Sequence, residues 1–431
     1  MFTDCTYNLI DIPMAKLTLD GIGHPMVYCV KRFSGGEMKD LTQCVLTPQI
    51  NMDGFDSLGV ATYRASTIVF ESAAEYAKRG ERGHSGYSYG LYGTPTTRTL
   101  EEKLTALEQG VRTFLVPSGQ AASSIVMLAF LSAGDKILIA DSVYPPVRDF
   151  ANCDLARFGI EVEFYDPIST ADLESRIDAK TKIVWCESPG STTMEVQDLP
   201  RIVEIAHRHG VLVGCDNTWA TPLNYKPLAL GADIVTEGLT KFVSGHSDLL
   251  MGSITVNDSK LITPIRSALG RLGVGTSPDD ATLVLRGMET LGVRLAHSSH
   301  AASILIDFLK DDPNVVRVLS PSVPDFPGYE IWKRDSLGTS PVFSVLLTPE
   351  ATRHAPAALD VLQTFAIGAS WGGTRSLIAP MSFKSNRTVT EWEGEDLLLR
   401  ISVGLEDIED LRADLVALFA EISSHREKRH P

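Results

Sequence analysis

The spacing of apolar and polar positions changes along the chain, and the clearest change comes near residue 98. Leu100, Leu104 and Leu107 recur at helical spacing with Glu and Lys between them, and Gly110 can close that helix. Short apolar runs then alternate with helix-like stretches. Residues 113–119 (TFLVPSG) precede 121–135, residues 136–144 (KILIADSVY) precede 145–159, and residues 182–190 (KIVWCESPG) precede 198–210. Residues 211–218 (VLVGCDNT) lead into a loop and then into 232–241 (ADIVTEGLTK). Apolar strands separated by helices predict a mostly parallel sheet. The nearly unbroken apolar character of 137–139, 183–186 and 211–215 predicts strands covered on both faces.

The pattern changes again near residue 290. A helix-like stretch over 293–310 leads to strand-like PVFSVLL (341–347) and LLLRISVG (397–404), then to a closing helix from Ile408. The expected organisation is an N-terminal arm and extension over 1–97, a large α/β domain over 98–292 and a smaller α+β domain over 293–431. Within the first part, 1–58 lack sustained periodicity and read as an extended arm, and 72–97 read as loop.

Composition narrows the functional classes. The 431 residues are too many for one ordinary domain. The formal charge of −15 argues against nucleic acid and anionic membrane as partners. No apolar run approaches a membrane span, and the acidic N-terminal residues Asp4 and Asp11 do not suit a signal peptide. None of the six cysteines lies in a CxxC pair, so neither a metal site nor a disulfide framework is expected, and a reducing cytoplasm is.

Ligands bind at strand ends in open α/β sheets. Ser118, Gly119 and Gln120 stand between a strand and a helix start, where backbone N–H groups suit an anion, or they form a plain turn. Asp216 ends an apolar strand and reads either as a helix cap or as a functional acid. Lys241 follows another such strand, and a desolvated Lys is the usual Schiff-base nucleophile. Together they suggest a carbonyl-bearing, phosphorylated cofactor with a pyridinium nitrogen opposite Asp216.

An ordered set of segments then resembles the pyridoxal-phosphate (PLP) enzymes of cysteine and methionine metabolism, and among them the bacterial cystathionine β-lyases. These are 92–110 (YGTPTTRTLEEKLTALEQG), 117–124 (PSGQAASS), 187–200 (ESPGSTTMEVQDLP), 216–222 (DNTWATP), 240–253 (TKFVSGHSDLLMGS), 286–295 (RGMETLGVRL), 327–335 (PGYEIWKRD), 370–373 (SWGG) and 404–411 (GLEDIEDL). The resemblance implies an aminotransferase-like fold of type I. It implies that Lys241 binds PLP covalently and moves the Cα proton, that Asp216 pairs with the pyridine nitrogen and that Tyr144 stacks on the ring. Gly119, Gln120 and Thr240 would hold the phosphate. Arg400 would hold the substrate carboxylate with Ser376 close by. Tyr89 would reach the neighbouring subunit's site in a homotetramer built from dimers. The implied activity is β-elimination from cystathionine or a related C–S substrate. The alternative is γ-replacement or γ-elimination on an activated homoserine. A non-catalytic PLP-binding protein and an NAD enzyme are weaker readings, the latter because no GxGxxG turn follows a strand.

The chain departs from this family at several positions. Leu91 stands where many members have a phosphate-binding Arg, so Arg98 or another residue would have to replace it. Gln120 replaces a smaller or apolar residue, and Gly238 offers no hydroxyl. Arg375 follows SWGG where relatives often place an acid, which either reverses the charge preference of a substrate-facing loop or points to solvent. His246 reads as a brace for the loop after Lys241. Trp219 and Trp371 divide evenly between pocket and core.

Overall fold

The computed structural model describes residues 52–392 and 396–427. Most of the segment read as an extended arm lies outside them. Met52–Ser57 form a turn in which the Phe55 N–H donates to the Met52 carbonyl at 3.0 Å. Everything that follows concerns the compact unit Leu58–Pro431.

Seven strands build the first sheet: β1 (Arg112–Val116), β2 (Lys136–Ala140), β3 (Glu161–Tyr165), β4 (Thr181–Glu187), β5 (Leu212–Asp216), β6 (Ile234–Glu237) and β7 (Gly252–Val256). Their spatial order is β1-β7-β6-β5-β4-β2-β3. Only β7 runs against the others, pairing antiparallel with both β6 and β1. The second sheet contains β8 (Val315–Leu319), β9 (Val342–Leu347), β10 (Ala366–Ile367), β11 (Leu377–Met381) and β12 (Leu398–Ser402), in the order β10-β11-β12-β9-β8. It is antiparallel except for the short β10–β11 pair.

Alternation along β2 explains the layers. Ile137 and Ile139 join a cluster with Phe114, Trp185 and Ile254, beneath the helices Gly119–Phe130 and Ile262–Leu272. Leu138 and Ala140 face the other way, into a larger cluster that continues through Val213 to Phe343, Leu399 and Leu415. One apolar core therefore runs from the first sheet into the second.

The elements missed by apolar periodicity have physical reasons. The edge strand β3 begins with exposed and half-buried residues, including Glu161 and Glu163, so its apolar run is only two residues long. Strand β7 is fully buried yet carries Ser253 and Thr255. The Thr255 hydroxyl lies 2.8 Å from that of Thr113 on β1, which satisfies both without an apolar side chain. The loop reading of 72–97 fails at both ends. A short helix spans Ala73–Ala77, and Pro95 opens the helix that continues to Glu108, capped by Thr94 and Thr97 in a reciprocal box. The helix Pro278–Met288 also lacked an expectation.

The connection between β11 and β12 crosses to the first sheet and clasps Asp141, just beyond β2. The fully buried carboxylate accepts from the backbone N–H groups of Thr388 (3.0 Å), Val389 (3.0 Å) and Thr390 (2.9 Å), and from Arg148 Nη2 (2.6 Å). Burial alone would raise its pKa, but the donors from Thr390, Thr388 and Val389 hold it well below the usual carboxylate range. Replacing Asp141 with Ala would leave Arg148 buried without its carboxylate and orphan three N–H groups. Such losses cost on the order of 3–5 kcal/mol. Denaturant unfolding of Asp141→Ala is expected to show that loss. In the parent the clasp should weaken as pH falls below the ordinary aspartate range, because the folded state binds the carboxylate form.

Candidate active site

The C-terminal ends of β4 and β5 open into one cavity. Asp216 is the last residue of β5 and pairs in register with Glu187 at the end of β4. Asp216 Oδ1 accepts the Thr218 N–H at 2.9 Å, and the Thr218 hydroxyl accepts the Gly238 N–H at 2.7 Å. The hydroxyl thus brought to Gly238 is that of Thr218. A Cβ built on Gly119 would lie 2.9 Å from Gly238 Cα, so two glycines let the start of helix Gly119–Phe130 press against the end of β6. Ser118 caps that helix by accepting the Ala121 N–H. The preceding N–H groups have no acceptor inside the helix.

Lys241 lines the cavity from the loop after β6. Its Nζ donates to Ser370 Oγ at 2.7 Å and lies 5.1 Å from the centre of the Trp371 ring. Burial, and then the nearby positive charge of Arg400, push the amine down to about 8. Arg400, on β12, is itself largely buried and donates to the Ala369 carbonyl. Tyr144 stands at the start of the helix Pro145–Phe150, and its N–H donates to Glu187 Oε2 at 2.7 Å. Burial, followed by the charge of Asp216, raises Glu187 well above the usual range, whereas the Tyr144 N–H opposes that rise. Asp216 is also raised, by burial first, against the hydrogen bonds from Thr218.

Of the residues singled out in the sequence, Lys241, Asp216, Tyr144 and Arg400 converge here, together with Gly119, Gln120 and Thr240. Ser376 does not. It is fully buried, its hydroxyl donates to Glu406 at 2.7 Å and accepts the Gly404 N–H at 2.8 Å, so it ties the chain after β12 to β11. Arg375 is exposed and outside the cavity. Tyr89 is 50% exposed and also lies outside the cavity of its own chain. Arg98 is committed to Glu101 at 2.5 Å and to the carbonyls of Tyr92 and His84, so it braces the Leu91 loop and is not free to replace an arginine at 91. His246 donates from Nδ1 to the Ser244 carbonyl at 2.6 Å, a local brace. Trp371 and Trp219 both line the cavity, and Trp219 also belongs to the core. Sequence reasoning passed over Ser370, Thr218 and Glu187 as site residues. Each lies inside a segment that carried the resemblance.

Comparisons with known proteins establish the family. The family model for Cys/Met metabolism PLP-dependent enzymes matches residues 41–420. The chain belongs to this family. A putative cystathionine β-lyase of Rhizobium johnstonii is 42% identical over 87% of this chain and 95% of its own length. The cystathionine β-lyase of Escherichia coli K12 is 36% identical over 83% of this chain and 92% of its own. The crystal structure of cystathionine γ-synthase from Xanthomonas oryzae, in complex with aminoacrylate and cysteine, superposes with a TM-score of 0.78 at 28% identity, covering 86% of this chain and 95% of that one.

Membership implies PLP as cofactor, and the residues present fit it. The cavity holds an amine, a buried acid lacking a cationic partner, an exposed aromatic ring and a helix start with free donors. Gln120 Oε1 and Ser123 Oγ are buried beside that helix start without hydrogen-bond partners. Among the described residues no cluster could hold a metal, and no helix is long and apolar enough to cross a membrane.

The depressed Lys241 amine makes a direct expectation. In cofactor-free protein, acylation of Lys241 by an amine-directed reagent, followed by peptide mass spectrometry, should rise with pH to a midpoint near 8. Arg400→Met removes a like charge, so it should move that midpoint upward.

Proposed function

We propose that this enzyme cleaves the C–S bond of cystathionine or a related amino acid by β-elimination. The observation that carries the reading is a partly neutralised amine, Lys241, held by Ser370 within the same cavity as Arg400, Asp216 and Tyr144. The relatives named cystathionine β-lyase support the choice of substrate.

PLP, when bound, supplies the electron sink that makes a Cα carbanion accessible. The protein's residues do the rest. Arg400 takes the substrate carboxylate through its planar fork, which fixes the orientation of the Cα–H bond. Lys241 accepts the Cα proton, and its low affinity for that proton near neutral pH lets it return the proton later. Asp216, at the end of β5, would pair with the pyridine nitrogen and favour its protonated form. Tyr144 would cover the ring, and Glu187 fixes the tyrosine's backbone. Gly119, Gln120 and Thr240 would hold the phosphate. The C–S bond then breaks with its electron pair on sulfur, and the released enamine hydrolyses to pyruvate and ammonia.

Around this site we read 98–292 as the cofactor-binding domain and 293–431 as the smaller domain. The half-exposed Tyr89 suits a side chain completed by a neighbouring subunit, in a homotetramer of dimers that share sites, within the cytoplasm. Gly90 helps to set its position, because a Cβ there would fall 1.9 Å from the Ala65 carbonyl oxygen.

Mass spectrometry of products separates this reading from γ-chemistry. Cystathionine should give homocysteine and pyruvate. Silence on cystathionine with turnover of O-acetylhomoserine would move the enzyme to γ-replacement or γ-elimination. Lys241→Ala is expected to lower kcat by roughly 10²–10⁴-fold or more, the range for losing a positioned acid–base group. If the shared-site arrangement holds, Leu91→Arg should slow the loss of PLP on dilution, measured by visible absorbance. Equal loss from variant and parent would place the phosphate anchor elsewhere.

A further inference from the structure

Arg387 has a buried side chain that does not itself line the cavity and touches no residue given a chemical role above. Its side chain is 4% exposed. It lies on the connection between β11 and β12, directly before the three residues that clasp Asp141. Nη2 donates to the Ser191 carbonyl at 3.3 Å and to the Thr193 hydroxyl. That hydroxyl donates onward to Glu195 Oε2 at 2.7 Å, while Glu195 Oε1 stands 3.8 Å from the guanidinium. Nη1 donates to the neighbouring Asn386 carbonyl at 3.2 Å. Desolvating a guanidinium for one distant carboxylate and three neutral acceptors is costly, so its contacts need an explanation beyond ion pairing.

The loop it grips supplies one. Ser191, Thr192 and Met194 form a wall of the cavity. Thr192 and Met194 have φ of 72° and 64°, the left-handed region that residues with a Cβ rarely adopt. Such a loop persists only when its surroundings over-determine it. Contacts besides Arg387 that do so include Met194 N–H to the Gly190 carbonyl at 3.1 Å, Gly190 N–H to the Glu195 carbonyl at 2.8 Å, Ser191 N–H to the Ser142 carbonyl at 2.9 Å, and Ser344 Oγ to the Thr192 carbonyl at 2.6 Å. Arg387 is the one long side chain among them that reaches the loop from the β11–β12 connection. The same short stretch, 387–390, therefore holds both the Ser191–Met194 wall and, through Asp141, the approach to Tyr144.

We propose that Arg387 is a positioning residue that fixes the Ser191–Met194 wall in its left-handed conformation, and so sets how tightly the cavity accepts the amino-acid substrate. It acts through the loop and not on the reacting atoms. Its loss should weaken substrate and transition state alike, which appears in KM and leaves kcat nearly unchanged. The kinetic part of this inference rests on the lyase reading; the structural part does not.

The test uses holoenzyme of the parent, Arg387→Gln and Arg387→Lys. Amide hydrogen exchange across 190–195 should be at least tenfold faster in Arg387→Gln, with the strands of the first sheet unchanged. KM for cystathionine should rise tenfold or more while kcat changes less than threefold. Arg387→Lys keeps one donor to the loop and should recover part of both effects. Unchanged exchange and unchanged KM would overturn the proposal. So would faster exchange throughout the molecule with kcat and cofactor content falling together, because that would mark a merely structural role. Should Arg387→Gln fail to fold, Thr193→Val removes only the hydroxyl contact. It should raise loop exchange and KM in the same direction, and no change in either would refute the idea. If the parent itself leaves cystathionine untouched, the lyase reading fails, and the exchange comparison still decides the part played by Arg387.

Discussion

A strand covered on both faces has no place for polar side chains along its length, so its chemistry is confined to its ends. Strands β4 and β5 obey this constraint. Their interiors are apolar and buried, and each finishes on a carboxylate, Glu187 and Asp216. The pairing that aligns the strands also sets those two acids side by side. Like charges so placed in a low-dielectric site resist being ionised together, and burial raises both. The groups that relieve this are backbone donors, Tyr144 N–H for one and Thr218 N–H for the other. The sheet thus concentrates acid at one edge, and the turns beyond that edge decide which acid stays charged.

The second sheet contributes by reaching across. Its strand β12 carries Arg400, while the chain just before β12 runs over to Asp141 at the end of β2. Because one apolar core is continuous between the sheets, these polar crossings need not provide the cohesion. They fix registration between two walls of the cavity. The separation of labour is physical: non-directional burial holds the sheets together, and directional hydrogen bonds set the distance between an arginine, a lysine and an aromatic ring.

Much of this was legible in the residues. The apolar runs at 137–139, 183–186 and 211–215 fall in strands β2, β4 and β5, and Lys241, Asp216, Tyr144 and Arg400 meet in one cavity. What escaped notice shares a cause. Strand β7 hides its burial behind hydroxyls that bond across to Thr113, and β3 hides behind charges that an edge tolerates. Ser370 and Glu187 meet Lys241 and Tyr144, and Arg387 meets the Ser191–Thr193 loop, across long separations in sequence, and no local pattern encodes such contacts. Ser376 shows the reverse error, since a hydroxyl near SWGG in sequence is spent on Glu406 in space. Arg375 changes the charge of its loop on paper, but its exposed place outside the cavity gives it no direct hold on a ligand within the same chain.

The contact between Gly119 and Gly238 restricts how the turn at the start of this helix can evolve. A side chain at Gly119 would meet the Gly238 backbone and drive the helix from the sheet, withdrawing the very N–H groups the turn presents, whereas a Cβ at Gly238 would meet the Thr218 side chain at 3.2 Å. Variation must therefore fall on the next residue, whose side chain leaves the contact sideways. Gln120 does so, reaching Ser124 and the Pro146 carbonyl. The unusual glutamine is then a lateral adjustment of a turn whose backbone is frozen. The surroundings of the exposed N–H groups can drift through such neighbours while the backbone that presents them stays the same.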